Sequence, residues 1–221
     1  MAIRLRRGLI ALASILVAVG VALSVVLMPW FTEFVAPASG ATELTGYSAE
    51  RVRELALHVR DFVTSEDAPD LPATIDGRPA FGSAEVEHLI DVRCVLAGAR
   101  GATVLATLVL AVLAAESVAA GRLRDLSRGM RTGGRIILGL SAAALLAGAV
   151  DFDAFFAGLH GIFFGSGTWT FPSDALMIRL FPLRFWVVAG ASWGGFTVLS
   201  ALVLIASGRA GTSVAQSVRA E

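Results

Sequence analysis

The chain has 221 residues, no net formal charge, and a 56% hydrophobic composition, with a mean hydropathy of +0.74. Soluble domains lie nearer roughly 45–50% apolar, so this composition points to a membrane protein. The absence of net charge offers nucleic acid no electrostatic footprint, and a single cysteine, Cys94, excludes an internal disulfide and a cysteine-based metal site.

Arg4, Arg6 and Arg7 precede an apolar run from Gly8 to about Phe31. That run is long enough to cross a bilayer, and Trp30 and Phe31 would mark its outer interface. A cleaved signal peptide is the competing reading, but the run is too long for a signal core. Residues 36–94 are more polar. Ser48 is placed to cap a helix whose Val52, Leu55, Val59 and Phe62 share one face. His58 on that helix reads as an ordinary surface histidine. Residues 66–79, with Asp, Pro and Gly, read as a loop. Ser83 reads as the next cap, with Glu85 and Glu87 in the first turn of a helix that also carries His88, Asp91 and Arg93.

That helix leads towards an apolar run over 102–120, which holds Glu116 near its inner end; Gly98, Arg100 and Gly101 intervene and leave its continuation open. Five arginines and one acid, Asp125, fill residues 121–135. The next run, 136–150, is too short to span alone. The expectation is a helix continuing through Asp151 and Asp153 to Phe156. An aromatic stretch follows over 157–184, rich in Phe and containing His160, Trp169 and Asp174. Rings of this kind suit the headgroup region. A last span covers 185–207, with a short polar tail holding Arg209 and Arg219. The predicted fold is thus an all-α integral membrane protein with four transmembrane helices at about 8–31, 102–120, 136–156 and 185–207. It forms one membrane domain, with extracytoplasmic helical segments at 36–94 and 157–184. Four spans place both termini on one side, and the arginines make that side cytoplasmic. His88 and His160 then share the outer face.

Two histidines among carboxylates are the one constellation here with catalytic potential. Imidazole takes up and returns protons near neutral pH. Glu85, Asp91 or Asp153 would fix a tautomer, and Arg93 would hold a carbonyl or a developing oxyanion. A nucleophile role for Cys94 is less favoured than burial as a small residue. Glu85-x-x-His88 also occurs in carboxylate-bridged metal sites, but those use the motif twice and the second copy is missing. A zinc site from His88, His160 and a carboxylate stays open by residue type. Glu116 and Arg100 raise a transport reading, which lacks broken-helix symmetry or a second buried charge.

Glu85-x-x-His88-Leu-x-Asp91-Val92-Arg93, then Phe155-Phe156-x-x-Leu159-His160-x-x-Phe163-Phe164, Trp169-x-Phe171-x-x-Asp174-x-Leu176, Pro182 and Phe185, resemble the bacterial lipoprotein intramolecular transacylase family. The resemblance extends over nearly the whole chain. It implies an acyltransferase of the bacterial plasma membrane. Its substrate would be a lipoprotein whose N-terminal cysteine bears a diacylglyceryl group. The sn-2 acyl chain would move to the cysteine α-amino group, giving the lyso-form. Carried onto matching positions, His88 and His160 become the catalytic pair. Glu85, Asp91, Arg93, Asp153, Trp169 and Asp174 become supporting or substrate-binding residues. Diacylglyceryl-modified lipoproteins and membrane lipid are the partners implied, with no metal and no soluble cofactor. The alternative is a non-catalytic lipoprotein-binding or assembly factor.

Overall fold

A computed structural model describes the backbone of residues 2–217; Arg219 lies outside the described residues. The described chain is almost wholly helical, with α1 (Ala2–Val26), α2 (Pro29–Ala36), a π-helical turn (Pro37–Ala41), α3 (Thr42–Thr45) and α4 (Ala49–Thr64) in its first third. A ribbon of β1 (Thr74–Ile75) and β2 (Arg78–Pro79) follows, then α5 (Ser83–Ala119), α6 (Leu123–Val150), α7 (Phe152–Phe163), α8 (Leu176–Leu180) and α9 (Leu183–Ser217). Four of these helices, α1, α5, α6 and α9, are long and apolar enough to cross a membrane. Where the sequence suggested one domain, the packing divides into two compact units.

The first unit comprises Met1–Leu23, Ala99–Val150 and Trp193–Glu221. Its centre is Ala18, Ile137 and Ala201, with Ile15, Leu138 and Leu204 packed around them. Small residues carry this packing, as expected where lipid tails are as apolar as leucine and close backbone approach supplies the attraction. A Cβ at Gly133 would come within 2.9 Å of the Ala11 carbonyl oxygen on α1, and one at Gly134 within 2.7 Å of the Ala201 carbonyl oxygen on α9. Adjacent glycines thus seat α6 against a helix on each side. At its polar end, Arg6 donates to the Leu113 carbonyl (3.0 Å) and the Ser117 hydroxyl (2.9 Å), and Arg7 binds Asp125 at 2.6 Å. Glu116, the one acid considered for transport, lies 3.8 Å from Arg6 and is mostly exposed. Gly133→Leu should therefore lower thermal stability in detergent by about 1–3 kcal/mol through overpacking. Gly139→Ala, where a Cβ meets open space, should be neutral or slightly stabilising. Equal melting temperatures for the two variants would contradict this packing.

The second unit comprises Ser24–Gly98 and Asp151–Ser192. The helix α4 starts where Ser48 accepts a hydrogen bond from the Arg51 amide (3.2 Å). It buries Val52, Leu55, Ala56, Val59, Phe62 and Val63, the face expected from spacing. Arg60 ties it back to the Leu27 carbonyl (2.7 Å), and His58 holds the following loop through the Asp70 carbonyl (2.8 Å). Inside the predicted loop 66–79, Asp76 and Gly77 both have positive φ, 52° and 76°. That is the turn geometry an Asp-Gly pair favours in a two-residue hairpin, and it pairs Thr74 with Pro79.

Three expected boundaries differ, and one open point is decided. The first span, expected over about 8–31, ends at Val26, and α2 restarts at Pro29, which suits the first turn of a helix. The helix begun near Ser83 runs unbroken through Gly98–Gly101 to Ala119. Glycine inside a helix costs only about 1 kcal/mol, which flanking apolar turns outweigh. At 37 residues α5 exceeds the roughly 20 that a bilayer core needs, and the excess carries its polar first turns. The helix expected over 136–156 instead ends at Val150. It gains its spanning length on the other side, from Leu123 onward. Asp151, in extended conformation (φ −153°), caps the next helix by accepting from the Ala154 amide (2.9 Å). A capping aspartate satisfies one of the orphan amides at a helix start, so the acid breaks the run rather than riding through it. The last helix continues to Ser217, beyond the predicted end at 207.

Candidate active site

The second unit brings the two predicted histidines together. His88 lies one turn into α5, and His160 in the last turn of α7. Their ring centroids are 6.4 Å apart, with the planes 27° from parallel. The gap between them in sequence is closed by α7 and the segment after it, which wrap aromatic rings around both. Phe164 contacts both imidazoles, at 4.8 Å from His88 and 5.7 Å from His160. Phe171 lies 5.6 Å from His88. Phe156 and Trp169 flank His160 at 4.0 and 4.8 Å.

The two imidazoles are held differently. The Nδ1 atom of His160 lies 2.9 Å from the Phe156 carbonyl oxygen, one turn back along α7. A carbonyl oxygen can only accept, so Nδ1 carries the proton and donates. When the ring is neutral, its lone pair is then at Nε2. This is the arrangement in which a backbone acceptor fixes which nitrogen serves as base. His88 is 7% exposed, and its buried Nδ1 has no hydrogen-bond partner among the described residues.

None of the carboxylates expected to orient these rings hydrogen-bonds to either of them. Glu85 is buried, and both its oxygens accept backbone amides: Gly82 at 2.7 Å and Met177 at 2.8 Å. It joins the first turn of α5 to the first turn of α8, 92 residues away. Its role is to hold the backbone beneath His88. Asp91 and Asp153 are exposed. Asp153 shares a face of α7 with His160, but seven residues of helix put about 10 Å between them, beyond hydrogen-bond reach. Arg93 is five residues past His88, so it points roughly 140° away around the helix. Its Nε donates to the Phe62 carbonyl (2.6 Å), and its guanidinium lies 3.8 Å over the Phe62 ring, docking α5 on α4. Asp174 is exposed in the turn before α8, and Cys94 is exposed rather than buried. Trp169 is the one supporting residue in ring contact with a histidine. Among the described residues no group of three or more His, Cys, Asp and Glu side chains gathers where a metal ion would sit.

Sequence reasoning missed the rings at Phe164 and Phe171 as neighbours of His88, and the Phe156 carbonyl as the partner of His160. The second was open to inference, because a histidine side chain near a helix C-terminus reaches the carbonyl four residues earlier.

These features define an all-helical integral membrane protein with a paired-histidine centre. A family profile described as lipoprotein intramolecular transacylase Lit matches residues 8–186, and the chain belongs to that family. It is accordingly an acyltransferase enzyme of the membrane. Among solved structures, the membrane-integral lipoprotein intramolecular transacylase Lit from Bacillus cereus superposes with a TM-score of 0.85 at 13% identity, covering 97% of this chain and 98% of that one. Two variants of the same Bacillus cereus protein, with a histidine replaced by arginine or by alanine, give TM-scores of 0.78 and 0.79 at 13% identity. They cover 97% of this chain and 94% and 96% of theirs. At this identity the superpositions establish the fold. A search of curated proteins gives no match.

Proposed function

We propose that this protein moves the sn-2 acyl chain of a diacylglyceryl-modified lipoprotein to the α-amino group of its N-terminal cysteine, with His160 as base and His88 as acid. The observation that carries this reading is the pair of imidazoles 6.4 Å apart, one of them with its tautomer fixed by a backbone carbonyl. Two hydrogen bonds of about 3 Å, placed on either side of one tetrahedral centre, span roughly 6–8 Å. Ring centroids 6.4 Å apart leave both imidazoles within reach of one such centre, the attacking nitrogen and the departing oxygen included.

The steps follow from that spacing. His160 Nε2 removes a proton from the cysteine ammonium. The free amine attacks the sn-2 ester carbonyl, forming the new C–N bond and an oxyanion. The C–O bond to glycerol then breaks, and His88 protonates the departing glyceryl oxygen. The nitrogen loses its second proton as the amide forms. One of the two protons ends on the glycerol hydroxyl and the other leaves to solvent. Ester and amine belong to one molecule, so attack is intramolecular and much of the barrier is removed by proximity. The aromatic rings around the pair limit the water that would compete for the ester.

The positive-inside pattern supports cytoplasmic termini and a site at the outer leaflet, where diacylglyceryl chains lie in the bilayer and the peptide emerges. The test is mass spectrometry of the N-terminal peptide of a co-expressed lipoprotein. The wild-type protein should convert it from diacylglyceryl-cysteine with a free amine to the N-acyl lyso-form. His88→Ala and His160→Ala should each leave it unconverted while still inserting. Full conversion by either variant would remove that histidine from the chemistry. No conversion by the wild type would favour a lipoprotein-binding role instead.

A further inference from the structure

The pair is asymmetric in a way that assigns work to two further side chains. His160 has a hydrogen bond fixing both its orientation and its tautomer. His88 has neither. Its Nδ1 is buried without a partner among the described residues, and Glu85, one turn before it on α5, is taken up by two backbone amides. The ring contacts of His88 other than His160 are Phe164, edge-on at 65° and 4.8 Å between centroids, and Phe171, tilted at 53° and 5.6 Å. An imidazole turns about two side-chain bonds, and the second is broad when nothing restrains it. Something must therefore hold it, and two phenyl rings lie against it.

Phe164 is itself well anchored. It is the C-cap of α7, and its amide donates to the carbonyl of His160 at 2.8 Å. The backbone that carries His160 thus carries the ring on which His88 rests. The three centroids form a triangle with sides of 6.4, 4.8 and 5.7 Å. Movement of the Phe164 ring would change the separation of the two imidazoles directly. Phe171 reaches His88 from the segment between α7 and α8.

We propose that Phe164 and Phe171 are positioning residues for His88, doing by aromatic packing what the Phe156 carbonyl does for His160 by hydrogen bonding. This rests on the acid–base reading of the pair given above. Neither phenyl ring exchanges a proton, so both act through the imidazole alone. Misplacement by about 1 Å costs on the order of 100-fold in rate. Binding of the lipid chains and peptide is left largely alone.

The test uses full-length protein in detergent micelles, a synthetic diacylglyceryl-cysteine peptide as probe, and Phe164→Leu and Phe171→Leu, which retain apolar bulk without a ring face. Each should lower kcat by about 10–100-fold with KM within about threefold. Phe164→Tyr, which keeps the ring, should recover most of the loss. In protein with 15N-labelled histidine and no substrate, the His88 ring nitrogens should give one restrained signal set in the wild type. In Phe164→Leu that set should become averaged, while His58 stays unchanged as an internal reference. A rise in KM with unchanged kcat, or unchanged His88 signals in both leucine variants, would overturn the proposal. The nitrogen spectra do not depend on turnover. An inactive wild type with a restrained His88 would sink the acyl-transfer reading and leave the packing claim standing. An active wild type with indifferent leucine variants would do the reverse.

Discussion

Replacing His160 by alanine should lower acyl transfer by about 10²–10⁴-fold, the range a positioned acid–base group supplies, while leaving the protein folded. The structural loss is small. His160 is half-buried, and the Phe156 carbonyl that accepts its Nδ1 proton sits inside α7, where helical hydrogen bonding already uses one of its lone pairs. The loss of that extra bond is worth about 1 kcal/mol. The chemical loss is large because the amine of a peptide N-terminus is mostly protonated near neutral pH and cannot attack until a base removes the proton. Turnover of a diacylglyceryl-cysteine peptide in micelles, measured beside circular dichroism, separates the two. Retained turnover with retained helicity would show that the base lies elsewhere.

Replacing Glu85 by alanine should instead act on stability. Its two oxygens accept the amides of Gly82 and Met177 at 2.7 and 2.8 Å in a buried setting. Hydrogen bonds to a charged acceptor are worth about 1.5–3 kcal/mol each, so losing both should cost roughly 3–5 kcal/mol. The buried Met177 amide would be left unpaired, while the amide of exposed Gly82 would turn to water, so most of the cost falls on the α8 side. Glu85→Gln should fall between, since its amide oxygen replaces one acceptor while its NH2 group faces the other amide. Thermal unfolding in detergent should rank wild type above Gln above Ala. Activity should fall in parallel with stability, because Glu85 holds the turn from which His88 projects. An alanine variant as stable as wild type but inactive would make Glu85 a direct participant, contrary to its geometry.

Much of this was legible in the chain. The four spanning helices follow from long apolar runs, because a bilayer demands a near-continuous stretch of such residues. The aromatic segment around His160 stood out because rings and a histidine together are unusual beside a membrane span. Other features were hidden for physical reasons. Asp151 is chemically able either to ride through a helix end or to cap the next helix, and only the chain's path decides between them. The partner of Glu85 lies 92 residues away, a separation that no local periodicity encodes. Spacing put Glu85 and Asp91 each within one turn of His88, and it put Asp153 on the face of His160. It did not reveal that Glu85 faces α8, nor that Phe164 and Phe171 take the place a carboxylate was expected to fill beside His88. Likewise Arg93 pairs with Phe62 on α4, a contact set by how two helices dock.

The most direct measurement follows one acyl chain. A synthetic diacylglyceryl-cysteine peptide, isotopically labelled only in its sn-2 chain, is mixed with unlabelled peptide of different sequence and incubated with the purified protein in micelles. The label should move to the α-amine of the same peptide, leaving a free sn-2 hydroxyl, with none on the second peptide. Label appearing on the other peptide, or an untouched sn-2 ester in the presence of folded protein, would contradict intramolecular transfer.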